Sequence, residues 1–287
     1  MKRVIIAAIA ILACSSLSAQ QRSRLSAQQH EFSVSAGGGL SALNYQIDDG
    51  AQKGNMGIHF GLGYRYELTP GLGVLTGVGF GIYNSTFTAS RAFSSQNEAI
   101  DLYYDNDPQP FTLVSELDGY EERQGVFLLQ VPVMGQYVHD LGAFDAFVNA
   151  GLKLGLPISG KYSSNVEKIT NIGKYPEYDY SVQKFRGFGE FTDQPYSGDL
   201  EFKMAVMFSI EAGAKFSLSR ELSLYVGAFF DLGLNNIHKT AAPRFIEYFD
   251  APADFKVNSV IHSQYENFTD KVAPMAVGIK LTLAMNM

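Results

Sequence analysis

From residue 144 to residue 158 every even position is apolar: Phe144, Ala146, Val148, Ala150, Leu152, Leu154, Leu156 and Ile158. The odd positions between them include Asp145, Asn149, Gly151, Lys153 and Gly155. A period of two belongs to a β-strand with one apolar and one polar face. The pattern returns at 204–218, where Val206, Phe208, Ile210 and Phe216 oppose Ser209, Glu211, Gly213 and Lys215. It returns again at 222–234, 275–287 and 56–68. With weaker alternation at 31–44, 71–87 and 126–138, the chain carries eight predicted strands. A membrane-crossing strand needs about 9–11 residues, and each segment is long enough.

The spacers between strands alternate in length. Residues 69–70, 139–143 and 219–221 form short turns, whereas 45–55, 88–125, 159–203 and 235–274 are long. Short turns after even strands and long loops after odd ones are the layout of an outer-membrane barrel. A soluble sandwich would keep most connections short. The pattern predicts an all-β fold: an eight-stranded antiparallel up-and-down transmembrane β-barrel with long extracellular loops and both ends of the barrel on the short-turn side.

The faces differ in charge. The five clearly alternating apolar faces hold none, and the opposite faces hold Arg65, Glu67, Asp145, Lys153, Glu211, Lys215, Asp231 and Lys280. A Lys or Arg facing lipid at mid-membrane costs about 2–4 kcal/mol, so these faces are expected to line the lumen. A soluble barrel would instead turn its apolar faces inward. The Gly-rich polar faces and the apolar last residue favour the membrane reading. Four positive and four negative lumen charges predict an ion-paired interior without an open channel, because isolated buried charges are expensive. Register estimates from the turns set Asp231 diagonal to Lys280, Asp145 near Lys215 and Lys153 near Glu211.

The N-terminus reads as an export signal. Lys2 and Arg3 precede a ten-residue apolar core at 4–13 and a small-residue exit at 15–19. Cleavage after Ala19 makes 1–19 a signal peptide, 20–30 a short periplasmic segment and 31–287 the barrel. Cys14, the one cysteine, then leaves with the signal; in a second reading Ile11-Leu12-Ala13-Cys14 is a lipoprotein box that lipidates it. No run of 18 apolar residues provides a helical span. The net charge of −7 argues against a nucleic-acid partner.

Candidate chemistry is sparse. His30, His59, His139, His238 and His262 are scattered, with no nucleophile and base at a telling spacing. The second long loop is acidic, with Glu98, Asp101, Asp105, Asp107, Glu116, Asp118, Glu121 and Glu122. Asp101, Asp105, Asn106 and Asp107 offer hard oxygens for Ca²⁺ but lack the glycine of an EF-hand loop. The expectation is a solvated acidic loop, no metal and no cofactor. Tyr64, Tyr66, Phe144 and Phe216 fit an aromatic girdle at the periplasmic rim. The third loop holds Tyr175, Tyr178, Tyr180, Phe185, Phe188, Phe191 and Tyr196, too aromatic for plain disorder, and is the candidate partner-binding site.

Residues Leu129-Gln130-Val131-Pro132-Val133-Met134-Gly135-Gln136-Tyr137, a turn and the strand 146–157 resemble the PorT-like, Bacteroidetes-type outer-membrane β-barrel family. Asp231-Leu232-Gly233-Leu234-Asn235-Asn236-Ile237 is similar to that family's Gly-Leu-x-Asn-Ile ending. The family position matching Gln136 is often basic. The resemblance implies an outer-membrane barrel, includes secretion accessories among its members, and brings no catalytic residues. Pro132 inside a strand predicts a bulge or a locally unpaired carbonyl. Together these readings predict a non-enzymatic surface-exposed barrel for binding or adhesion, or an accessory of an envelope or secretion machine. Its partners would be outer-membrane lipid and an unknown protein or surface ligand at the loops. The alternatives are a barrel enzyme acting on outer-membrane lipids and a small-solute pore.

Overall fold

Strand-forming alternation dominates the computed structural model, which describes residues 30–47, 50–89, 92–101, 109–182, 187–239, 244–249, 254–261, 263, 269 and 271–287. The expected signal peptide with Cys14, the segment 20–29, Asp105 to Asp107, Phe185, His262 and the side chain of Asp101 lie outside the described residues. The described strands are β1 His30–Asn44, β2 Gly50–Thr69, β3 Leu72–Ala89, β4 Phe93–Asp101, β5 Gln109–Asp140, β6 Asp145–Lys174 and β7 Asp179–Tyr180. They continue with β8 Gly189–Asp199, β9 Ala205–Ser217, β10 Leu222–Gly233, β11 Ile246–Phe249, β12 Asp254–Val257 and β13 Ala273–Asn286.

Eight of them close into an antiparallel ring, in the order β5, β3, β2, β1, β13, β10, β9, β6 and back to β5. Closure leaves no ladder edge exposed to lipid, the condition for a sheet to cross a bilayer. Tight turns join β2 to β3, β5 to β6 and β9 to β10. Gly71 closes the first at φ 80°, a backbone region that glycine enters without steric cost. In the third, the Ser219 hydroxyl accepts from the Glu221 and Leu222 amides at 3.3 and 3.1 Å. The Met287 amide bonds the His30 carbonyl at 2.9 Å, so both barrel ends lie on the turn side.

Burial through the ring is the reverse of a water-soluble protein. Met56 is 79% and Ile279 63% exposed on the outer face, whereas Asp231 is fully buried and Glu211 3% exposed inside. A wall that is apolar outside and charged inside matches hydrocarbon, not water, as the outer solvent. The soluble alternative required the opposite.

Above this membrane storey the architecture changes. β5 runs for 32 residues and β6 for 30, about three times what a bilayer needs. β4 adds to the far end of β5, and β8 replaces β9 beside β6. The polarity of the alternation reverses along the same strands. Low in β6, Asn149 and Lys153 point inward and Leu152 and Leu154 outward. Higher up, Tyr162, Val166 and Ile169 are buried while Lys161, Ser163 and Lys168 face out. Two irregularities accompany the change. Phe127 pairs with Ser159 but Leu128 with Pro157, leaving Ile158 unopposed in a bulge. Farther out, Gly119, Glu167 and Asp193 stand at one level of β5, β6 and β8 without pairing, Gly119 at φ 65° and Asp193 at φ 52°.

The upper storey therefore has its own apolar core, built from Leu43, Phe87, Leu117, Tyr120, Val166, Ile169, Phe245 and Ile246. Val257, Val260 and Ile261 of the fourth connection join it and fill the barrel mouth. This corrects the expectation of plain loops at 88–125, 159–203 and 235–274: they carry β4, β7, β8, the outer halves of β5 and β6, and the β11–β12 hairpin. Pro132 causes an interruption rather than a bulge. The β3–β5 ladder skips from Thr76–Val133 to Gly79–Gln130 without a register shift. The Thr76 hydroxyl donates to the Pro132 carbonyl at 2.9 Å.

The two storeys make opposite demands on a new charge. Leu152→Lys, on the lipid face, should destabilise the barrel by about 2–4 kcal/mol. Ser163→Lys, on the same strand above the lipid, should change stability by less than about 0.5 kcal/mol. Urea midpoints of protein refolded in detergent or lipid check this; equal effects at both positions would contradict the boundary.

Candidate functional site

The barrel ring turns a row of charged side chains inward, and those buried from water need partners. Lys153 Nζ donates to both oxygens of Asp231, at 2.8 and 2.9 Å. The Ser209 hydroxyl donates to the same carboxylate at 2.6 Å and the Tyr83 hydroxyl at 3.3 Å. Lys280 pairs with Glu211, which also accepts from Asn149 at 3.4 Å. Lys215 reaches Glu31 at 3.5 Å, and the Tyr225 hydroxyl bonds that carboxylate at 2.9 Å. Arg65 pairs with Glu67 at 3.2 Å, while Glu67 also accepts from the Gly71 amide at 3.1 Å.

All eight charges named from the sequence lie on the inner face, but three partner choices differ. Asp231 stands opposite Ala276 and Lys280 opposite Gly227, two residues from the offset estimated from the turn, so Asp231 and Lys280 are not diagonal neighbours. Lys153 stands opposite Met207, and Glu211 opposite Asn149. Asp145 is directly opposite Lys215, yet Lys215 turns to Glu31. A slip of two residues keeps every side chain on its face and changes only its neighbours. Glu31 was missed. Its strand carries Gly37-Gly38-Gly39, which blurs the alternation and hides which face is polar.

Between these pairs lies a cavity of about 80 Å³ whose lining includes His59, Gln130, Gln136, Asn149, Tyr225 and Thr282. That exceeds the about 10–15 Å³ that one water needs, and Gln130, Gln136 and Asn149 offer it polar partners in walls that are otherwise largely apolar. His59 is held edge-on between Tyr83 and Phe229, at ring distances of 5.4 and 5.0 Å. His30 bonds Tyr64 at 2.7 Å on the periplasmic rim, His139 stacks on Tyr137 at the same end, and His238 bridges Phe202 above the barrel. Among the described residues no three His, Cys, Asp or Glu side chains are grouped to hold a metal.

At the extracellular end the third-connection aromatics mostly face inward. Phe188 is buried against Phe111 and Tyr180, at 5.5 and 5.7 Å. Phe191 and Tyr196 pack on Phe255. Phe111, Tyr175 and Tyr178 form a stacked ladder at 5.1 and 4.8 Å that runs from the core to the surface. Of the six described aromatics expected to contact a partner, only Tyr178, 56% exposed, presents most of its surface. Of the acidic cluster, Glu98, Glu116, Asp118 and Glu121 are solvated, whereas Glu122 is buried.

A closed antiparallel ring with a lipid-matched exterior, an ion-paired lumen and a large extracellular end defines an outer-membrane β-barrel. The chain belongs to the outer membrane protein beta-barrel domain family, whose model matches residues 18–239. Among solved structures it is similar to a major outer membrane protein from Thermus thermophilus, at 18% identity and a TM-score of 0.38 over 90% of this chain and 99% of that one. It is also similar to Neisserial surface protein A, at 8% identity and a TM-score of 0.36 over 91% and 98%. A third is Ail, the attachment invasion locus protein of Yersinia pestis, in complex with the heparin analogue sucrose octasulfate, at 12% identity and a TM-score of 0.29 over 90% and 98%. No curated protein sequence matches the chain.

Asp231→Ala should destabilise the barrel by about 3–5 kcal/mol, because Lys153 is left buried and unpaired. Adding Lys153→Met should recover part of that loss. Lys280→Met, whose partner is Glu211, should be additive with Asp231→Ala. Denaturant titrations of the single and double variants in lipid measure the couplings; coupling of Asp231 to Lys280 instead of Lys153 would contradict the geometry.

Proposed function

We propose that this chain is a non-enzymatic outer-membrane protein whose extracellular storey is a binding platform, used in adhesion or as an accessory of an envelope or secretion machine. One observation carries the reading: the part above the membrane is folded around its own core and holds an apolar tip in water. Ile100, Tyr178, Val182 and Phe249, each 39–56% exposed, lie at or near the ends of β4, β6, β7 and β11. Large apolar side chains exposed near the end of a well-packed support are candidates for an interaction site. The Phe111–Tyr175–Tyr178 ladder gives the tip a rigid aromatic anchor, the residue type that dominates binding energy at interfaces. The partner is a protein or another surface ligand. Export by a signal peptide cleaved after Ala19 and the PorT-like affinity of 129–137 belong to the same reading.

A pore and a lipid-modifying enzyme fit less well. Eight strands leave an interior filled by side chains. Here that interior is ion-paired, and its outer mouth is occupied by Val257, Val260 and Ile261. A Ser–His mechanism needs the imidazole beside the hydroxyl it activates. The lumen histidine, His59, instead sits between the rings of Tyr83 and Phe229, and His30 bonds the Tyr64 hydroxyl.

Photo-crosslinking on intact cells tests the platform. A benzophenone amino acid at position 178 should yield a discrete adduct that the same probe at Leu141, on the periplasmic turn, does not. Tyr178→Ala should weaken capture of that partner by about 2 kcal/mol or more, as for an interface hot spot. No adduct at position 178 on cells that display the protein would count against the tip as the site. Large stable single-channel currents in planar bilayers would favour the pore.

A further inference from the structure

Glu122 is out of place. It lies on β5 above the lipid belt, flanked by solvent-exposed Glu121 and Arg123, yet its own side chain is fully buried in the apolar core of the upper storey. Its carboxylate has no cation within ion-pair distance among the described residues. Four donors hold it instead. The Tyr120 hydroxyl and the Gln124 amide, the latter at 2.9 Å, come from the barrel wall. The Ser259 hydroxyl and the Val260 amide, the latter at 2.9 Å, come from the segment that fills the mouth. That segment is otherwise held by Tyr162, which donates to the Val257 carbonyl at 3.3 Å, and by Asn258, which donates to the Arg244 carbonyl at 2.9 Å.

We propose that Glu122 is an acid-strengthened latch that fastens the Val257–Ile261 segment into the extracellular mouth and loosens it as the medium becomes neutral. A carboxylate removed from water without a counter-ion incurs a large desolvation cost, only part of which four hydrogen bonds return. Burial accordingly raises the Glu122 carboxyl above its ordinary range, with the Ser259, Tyr120, Val260 and Gln124 hydrogen bonds opposing. When the segment undocks, water reaches the group and its ordinary acidity returns. The docked state therefore binds the proton more tightly. Docking from this group is strongest below the ordinary carboxylate range and weakens as pH rises toward the raised value of the docked form. Among the described residues the other ionisable groups facing Glu122 are Tyr120 on its own strand, Tyr45 after β1 and Tyr162 on β6, while Glu247 on β11 accepts from Asn258 at 3.4 Å. Burial pushes all three phenols up, Tyr162 to about 12, so they stay neutral from pH 5 to pH 8.

Hydrogen–deuterium exchange of the full chain in lipid reads the latch through the Val260 amide, which bonds Glu122 directly. After correction for intrinsic exchange, protection of the 254–263 peptide should fall as pH rises from 5 to 8, because the docked form keeps its proton to a higher pH than the undocked one. A peptide from β10 should stay level. Glu122→Gln, neutral at every pH, should abolish the dependence while keeping the heat-modifiable barrel. If that variant does not fold, Ser259→Ala, which removes one donor from the ionised form, should deepen the loss. A level wild-type profile, an unchanged slope in Glu122→Gln, or an unchanged profile in Ser259→Ala would overturn the latch.

Discussion

One wall faces two solvents. The same strands leave hydrocarbon and enter water part-way along their length, and the rest of the structure follows from that crossing. In hydrocarbon the outer face must be apolar, so every charge on a crossing strand goes inside. In water the outer face can be charged, and the inside becomes an ordinary apolar core. β6 shows both conditions in one strand: Lys153 and Asn149 inside below, Val166 and Ile169 inside above. The Ile158 bulge and the unpaired level at Gly119 move the side-chain faces at intervals along this pair, where an unbroken ladder would hold one phase throughout.

The ion-paired lumen is the consequence of the lower half of that arrangement. Nine charges crowd a closed ring: the eight named from alternation and Glu31. Eight of them pair, as Lys153–Asp231, Lys280–Glu211, Lys215–Glu31 and Arg65–Glu67, and make the interior a polar plug, while Asp145 sits half-exposed at the turn end. A small barrel cannot use such an interior as a wide channel. It can use it as a stiff foundation. The upper storey continues the wall strands β5 and β6, which stay paired with each other beyond both irregularities, so the tip that meets the outside is mounted on the membrane-embedded wall itself. Rigid mounting favours recognition by a pre-formed surface, because less freedom is lost on binding.

The mouth-filling segment is the exception to that rigidity. It is fixed to the wall by a few hydrogen bonds and by burial of Val257, Val260 and Ile261, not by a ladder. The proposed latch places at its centre a carboxylate held by hydrogen bonds, whereas the lumen below holds its buried carboxylates in ion pairs.

Alternation alone was enough to determine the eight crossing strands, the tight turns and the lipid-facing surface. Those features depend on the face of a strand, and a period of two marks the face directly. Three things were decided only by the folded chain. Partner choice in the lumen depends on register, and a two-residue slip leaves no trace in which residues point inward. The strands hidden in 88–125 and 159–203 were illegible because a phase shift and a reversal of polarity cancel the very periodicity that marks a strand, so Leu117 and Tyr120, both buried, fall out of step. The burial of Glu122 and of most third-connection aromatics depends on segments distant in the chain meeting over the barrel mouth. A local pattern records which solvent each face meets only while that solvent stays the same, and here it changes along the strand.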